Sequence, residues 1–250
     1  MKTINRKVHK EGAKLLFLFW FALLPLQASG KMYVVLVGVS EYANPAINLK
    51  YCHQDAIDMY ELLKIHTTSE NMVLLINQQA YHNNIVYYTR QLFQKAQPED
   101  IVIFYFSGHG SKNSFSTHDN DLSFSTLQSI FKQTKARRKL IIADACYAGA
   151  LRQPGNQAAS NNVNMGNNVL LFLSSRSGQK SNETSLLRNG IFTHFLLDGL
   201  RGEADANRDG YITAKEIFNY VYPKVKEHSK EVQIPVMWGK FDANLVILKK

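Results

Sequence analysis

With 250 residues the chain can bury one substantial core, and no internal repeat or long polar linker argues for a second domain. Its net charge of +9 is partly local, because residues 1–30 hold five Lys/Arg against one acid and carry +4 of it. The rest is spread out, with no aromatic-interleaved basic patch, no P-loop and no G-x-G-x-x-G after the first strand, which sets aside nucleic acid and nucleotide binding.

In chain order, Lys2, Arg6, Lys7, Lys10 and Lys14 precede an unbroken apolar run from Leu15 to Leu24, then Pro25, Leu26 and the small residues Ala28-Ser29-Gly30. This reads as a secretory signal peptide over residues 1–30, cut to leave an exported domain, periplasmic or extracellular, over residues 31–250. Leu15 to Leu26 is short for a bilayer span, so membrane contact is expected only if the leader stays uncleaved. An exported chain with only Cys52 and Cys146 is not a disulfide scaffold.

Apolar strand-like runs follow at Met32–Val39, Met72–Ile76, Ile101–Phe106, Lys139–Ala143, Val169–Ser174 and, after Pro235, Leu245–Leu248. Between them, Ala56, Met59, Tyr60 and Leu63, then Ile85, Tyr88, Leu92 and Phe93, then Leu127, Ile130 and Phe131 recur at helical spacing. Strands alternating with helices predict an α/β fold, a parallel sheet covered on both faces.

Two runs end alike. Ile101 to Phe106 opens into Ser107-Gly108-His109-Gly110, and Lys139 to Ala143 opens into Asp144-Ala145-Cys146. Open α/β sheets carry their chemistry at the carboxyl ends of their strands. If these two strands are neighbours, an imidazole and a thiol project into one crevice, the arrangement that makes a thiolate nucleophile. A lone Cys or His is more often structural. Here the glycines around both free the backbone to turn and to bring main-chain N–H groups to a substrate carbonyl, so catalysis is favoured. Asp144, two before Cys146, shares its face, and a carboxylate beside the nucleophile favours a cationic partner.

A separate signal lies at Asp205-Ala-Asn207-Arg-Asp209-Gly210-Tyr211-Ile-Thr213-Ala-Lys-Glu216. It matches the twelve-residue EF-hand loop, with Asp205, Asn207, Asp209, the Tyr211 carbonyl and Glu216 as calcium ligands and helices expected at Phe192–Leu200 and Ala214–Val221. The plainer reading is a calcium-free turn that keeps these residues for capping.

The SGHG and DACYAG segments, with Tyr33 to Gly38, Leu49 to Ala56, Leu171 to Ser175 and Gly190-Ile-Phe-Thr-His194, resemble the caspase-like cysteine peptidases, within them the metacaspases and their bacterial relatives. The resemblance covers nearly all of the chain after residue 31. It implies a three-layer fold on a mostly parallel six-stranded sheet, a His109/Cys146 dyad, and an oxyanion hole from the N–H groups of Gly110 and Cys146. It also implies an S1 pocket of Asp55, Ser107 and Asp144, and so a peptide or protein substrate cut after Arg or Lys. Caspases proper carry Gln where Asp144 stands.

No cofactor is required for that chemistry, and calcium is at most a modulator. The resemblance makes Cys52 a non-nucleophilic packing residue, with a regulatory disulfide to Cys146 as the lesser alternative. Arg152, in the polar stretch Arg152–Asn168, becomes a candidate processing site. Ser111–Asp121 is short and polar where relatives carry a longer strand pair. The alternatives kept open are a catalytically silent calcium-binding or scaffold protein, and a peptidase with Asn specificity.

Overall fold

The computed structural model describes residues 30–146, 168–174, 183–184, 188–239 and 241–250. The leader and Arg152 therefore lie outside the described residues. The first strand, β1 (Met32–Gly38), is buried along its whole length, as expected for a central strand with both faces covered. It pairs in parallel with β2 (Met72–Ile76) on one side and with β3 (Ile101–Gly108) on the other. Next to β3 runs β6 (Arg138–Ala145), also parallel, and beside it β7 (Val169–Leu173).

The sixth strand departs from the sequence expectation. The sheet is completed by β11 (Val236–Trp238), antiparallel on β7, immediately after Pro235. The run expected at Leu245–Leu248 is instead β12 (Val246–Lys249), which leaves the sheet to pair with β10 (Tyr211–Thr213). The order β11-β7-β6-β3-β1-β2 is a six-stranded, largely parallel sheet between two helical layers.

Alternation along the strands sends Val35, Val37, Phe104, Phe106, Ile141 and Ala143 to one face and Val34, Leu36, Ile103, Tyr105, Leu140 and Ile142 to the other. The first face is covered by α2 (His82–Phe93) and α3 (Phe124–Gln133), through Ile85, Leu92, Phe93, Leu127, Ile130 and Phe131. The second is covered by α1 (Cys52–Leu63), α4 (Ile191–Asp198) and α5 (Ala214–His228), through Ala56, Met59, Phe192, Leu196, Ile217 and Val221. The result is the three-layer fold the resemblance implied.

Two helices differ from expectation at their ends. The stretch after α4 unwinds into a wider turn over Gly199–Glu203, with Gly202 at φ 124°. Helix α5 runs through Pro223 to His228, past the expected stop at Val221. Its amino end is held by a capping box, Thr213 Oγ1 accepting from Glu216 N while Glu216 Oε2 accepts from Thr213 N.

The polar stretch after His109 does form a strand pair. β4 (Ser114–Ser116) and β5 (Asp121–Ser123) make a short hairpin whose Phe115 is buried and stacks on Phe106, ring centroids 4.3 Å apart. Phe115 and its cross-strand partner Leu122, both buried, anchor a hairpin whose other strand residues are polar.

Candidate active site

The register of the sheet decides what the strand ends bring together. Ser107 pairs with Asp144 and Gly108 with Ala145, so one further residue along each strand puts His109 beside Cys146. Neighbouring strands lie about 4.8 Å apart. His109 is two residues past Ser107 and Cys146 two past Asp144, so simple strand alternation would continue the rows of Ser107 and Asp144. Cys146 is half-buried and free of any disulfide.

His109 is held by the segment between β1 and α1. Its backbone N–H donates to the Tyr42 hydroxyl at 2.8 Å, its ring lies 5.0 Å from the Tyr42 ring, and its Nε2 lies 2.7 Å from the Ile47 carbonyl. A carbonyl only accepts, so Nε2 carries the proton, and in the neutral ring Nδ1 is the atom with a lone pair. The segment is itself pinned: Asn77 Oδ1 accepts from Ser40 N and Glu41 N, and Asn48 Oδ1 accepts from Tyr42 N. The Ile47 carbonyl carries no sequence signature, and sequence reasoning missed it.

Gly110 explains the tight approach of the two strand ends. A Cβ there would stand 2.3 Å from the Cys146 carbonyl oxygen, a distance no side chain tolerates. On its other side, Ser111 N bonds Ser114 O and Ser116 N bonds His109 O, so by antiparallel alternation the N–H of Gly110 faces away from the hairpin. Ala145 N donates to Ser174 Oγ, towards β7, so alternation turns the next N–H, that of Cys146, towards β3. These are the two N–H groups that the resemblance assigns to an oxyanion hole.

Beneath this lies a polar cluster in an apolar layer. Asp55 on α1 is 1% exposed and Asp144 on β6 is 4% exposed. Asp55 Oδ2 accepts from Ser107 Oγ at 2.7 Å, and its Oδ1 accepts from Asn189 Nδ2 and Gly190 N, each at 3.0 Å. Asp144 Oδ2 accepts from Thr193 N at 3.2 Å and Thr193 Oγ1 at 2.9 Å. Both carboxylates converge over Gly190: a Cβ there would sit 2.2 Å from Asp144 Oδ2 and 3.3 Å from Asp55 Oδ2.

Burial, and then the charge of Asp144, push the Asp55 carboxyl up to about 8, against the pull of its bonds from Ser107, Asn189 and Gly190. All three expected S1 residues thus meet in one place. Asn189 and Thr193, 134 and 49 residues away from the acids they bond, were not foreseen; the Gly190-Ile-Phe-Thr-His194 segment had been noted without a role.

The calcium-loop residues lie elsewhere, between α4 and α5. Asp205 accepts from Asp209 N and Gly210 N, Asp209 accepts from Tyr211 N, Asn207 donates to Asp209, and Glu216 serves the capping box. Among the described residues no group of three His, Cys, Asp or Glu side chains is placed to hold a metal ion. A groove of about 1040 Å³, lined by Lys31, His66, Arg138 and Tyr211 among others, lies at the opposite, amino end of the strands.

A second Cys and His stand adjacent at the head of α1, and in residue type Cys52 and His53 are also consistent with a dyad. Successive helix residues do not face each other. Cys52 is 4% exposed, and His53 Nδ1 lies 2.9 Å from Ser40 Oγ.

Comparison with known proteins agrees with this architecture. The sequence model of the caspase domain, a cysteine peptidase family, matches residues 31–246. The chain belongs to the caspase-domain family. It is 28% identical over 98 residues to metacaspase III c of Phaeodactylum tricornutum, a match that covers 37% of this chain and 29% of that protein. The matched part is thus less than a third of that relative's length. Among solved structures, caspase-1 of Spodoptera frugiperda superposes with a TM-score of 0.67 at 15% identity, covering 89% of this chain and 91% of that one. A Geobacter sulfurreducens protein superposes with a TM-score of 0.62 at 16% identity, covering 88% and 97%. These likenesses speak for the fold.

Proposed function

We propose that this caspase-domain protein is an exported cysteine endopeptidase that uses Cys146 and His109 to cut peptide chains after Arg or Lys. The observation that carries the reading is the convergence of two buried carboxylates, Asp55 and Asp144, directly below the strand ends that bear the imidazole and the thiol. Burial and the neighbouring Asp144 keep a proton on Asp55 up to about 8, because two like charges out of water are costly, and a bound cation is what lets both carboxyls ionise. A guanidinium meets such a pair with a fork of donors. A substrate Asp would be repelled, and a neutral Asn would leave the charges uncompensated.

In the reaction, Nδ1 of His109 takes the Cys146 proton while the Ile47 carbonyl holds Nε2–H. The thiolate attacks the carbonyl carbon of the scissile bond. Charge on the carbonyl oxygen is met by the N–H groups of Gly110 and Cys146, and the imidazolium then gives its proton to the leaving amine. Water, deprotonated by the same imidazole, hydrolyses the thioester. No metal takes part in these steps.

Export rests on the basic, apolar and small-residue sequence of positions 1–30. Calcium binding at Asp205–Glu216 rests on the ligand spacing and on Gly210, whose φ of 80° gives the sharp turn such a loop needs. If bound there, calcium would act on stability, since Tyr211 of the loop lines the groove at the amino end of the strands, away from His109 and Cys146. The peptidase reading is tested by incubating the protein with a peptidyl-arginine chloromethyl ketone and mapping the adduct by mass spectrometry. Modification of Cys146, blocked by a competing Arg peptide and absent in His109→Ala, is the expected result. Labelling confined to Cys52 would contradict it.

A further inference from the structure

The S1 acids are held by a buried relay that reaches through three elements. Thr193 on α4 gives Asp144 Oδ2 both its N–H and its hydroxyl. Behind it, the Tyr105 hydroxyl on β3 lies 2.6 Å from Thr193 Oγ1. Tyr105 and Thr193 are both fully buried.

The proton order follows from the chemistry of the groups. An ionised carboxylate offers no proton, so the Thr193 hydroxyl donates to Asp144, and its oxygen must then accept from Tyr105. Burial, and next the charges of Asp55 and Asp144, push the Tyr105 phenol well above its ordinary range, so it stays a neutral donor. The chain Tyr105 to Thr193 to Asp144 therefore has one direction and ends on a negative charge.

Its position also matters. Thr193 is the third residue of α4, whose N-cap, Gly190, has no side chain to cap the helix. Asp144 caps it from β6 by accepting the Thr193 N–H, and Asp55 accepts the Gly190 N–H. Both acids thus rest on the positive end of one helix, which favours their charged forms in an otherwise apolar layer.

Among the described residues, several groups besides Asn189 and Gly190 face Asp144 and Asp55. From α1 come Cys52 and Asp58, the latter sharing the Asn189 amide with Asp55; from β3, Tyr105 and Ser107; from α4, Thr193. From the segment before β11 comes Gln233, whose Nε2 lies 3.5 Å from Asp144 Oδ1. Of these, only Thr193 spends a hydroxyl on Asp144, and only Tyr105 stands behind that hydroxyl.

We propose that Thr193, backed by Tyr105, is a specificity-determining positioning residue that keeps Asp144 ionised and turned for a cationic P1 side chain. This rests on the basic-P1 reading above. Thr193→Val keeps the shape and the N–H but removes the hydroxyl. It should raise KM for Arg and Lys substrates about tenfold or more, the loss of one hydrogen bond to a charged group, with kcat changed little. The rise of kcat/KM with pH should move to higher pH, because a carboxylate with one donor fewer holds its proton longer. Thr193→Ser should restore both. Tyr105→Phe, which leaves the Thr193 bond in place, should shift both in the same direction by a smaller factor.

The experiment compares wild type, Thr193→Val, Thr193→Ser and Tyr105→Phe on Arg, Lys and Asn P1 peptides over a range of pH. Alkylation of Cys146 by iodoacetamide, which does not use the S1 pocket, serves as the check of an intact site. A KM and pH-profile shift in Val and Phe with normal alkylation, reversed in Ser, is expected. Unchanged KM and pH profile in alkylation-competent Thr193→Val overturns the proposal while the basic-P1 reading stands; if Thr193→Val does not fold, Tyr105→Phe decides by the same criteria. Failure of the wild type itself on Arg and Lys overturns both.

Discussion

Asp55 is the side chain whose surroundings have the widest consequences. In the unfolded chain its carboxyl titrates near 3.8, and in the folded protein burial and the neighbouring Asp144 raise it to about 8. Below 3.8 it is protonated in both states. Between these values the unfolded chain has lost the proton and the folded one keeps it, so the stability this group contributes falls as pH rises through that window. Above about 8 the loss is complete. Asp55→Asn should flatten the decline, so that the gap between wild type and variant changes by on the order of a few kcal/mol between pH 5 and 8.5. Urea midpoints at the two pH values measure it, and parallel curves for the two proteins would refute the burial argument. At the nucleophile, Cys146→Ala should abolish turnover, and His109→Ala should lower kcat by roughly 10²–10⁴-fold without unfolding the chain. Asp144→Asn should depress kcat/KM for Arg substrates by about two orders of magnitude. His109, Cys146 and Asp144 were legible because each sits at or just past the end of an apolar run, and Asp55 only through the resemblance. Asn189, Thr193 and the Ile47 carbonyl were not, since a bond between side chains on remote elements, or to a backbone oxygen, leaves no local pattern.

Elements were read more securely in the middle than at their ends or in their pairing. Five of the six strands of the sheet show as apolar runs because their side chains pack into helical layers on both faces, at the edge strand β2 only in part. β11 has three residues and too short a pattern to register, and β12 has the composition of a sheet strand yet pairs with β10, a choice made by tertiary context. The loop between α4 and α5 shows the same ambiguity in chemical form, since its acids serve turn, cap and ligand spacing alike. Glu216→Gln separates these roles, because Gln can still complete the capping box with Thr213 but is a poor calcium ligand. With calcium at ten times Kd, wild type should gain about 1.4 kcal/mol and melt a few degrees higher, and the variant should not. Identical melting curves in calcium and in chelator would leave the loop a structural turn. Gly110→Ala tests the strand ends as a unit: the added methyl collides with the Cys146 carbonyl and should cut activity severely while the distant core keeps its packing.

At the scale of the molecule, β6 carries Asp144 and α1 brings Asp55, while the amino end of α4 supplies the donors that hold both acids. Alternation of strands and helices was enough to read a parallel α/β sheet from sequence, and the two motifs were enough to place the chemistry at its carboxyl edge. What alternation cannot supply is strand order, and it is the adjacency of β3 and β6 that turns two separate motifs into a pair. The same adjacency sets Asp144 below the proposed dyad, and the proposed preference for positive charge rests on it. The most direct measurement is therefore a panel of fluorogenic peptides differing only at P1, with Arg, Lys, Asn and Asp, hydrolysed by wild type and by Cys146→Ala. Rapid release after Arg and Lys, little after Asn or Asp, and none by the variant is the predicted result. A preference for Asp or Asn, or equal release by Cys146→Ala, would contradict the account.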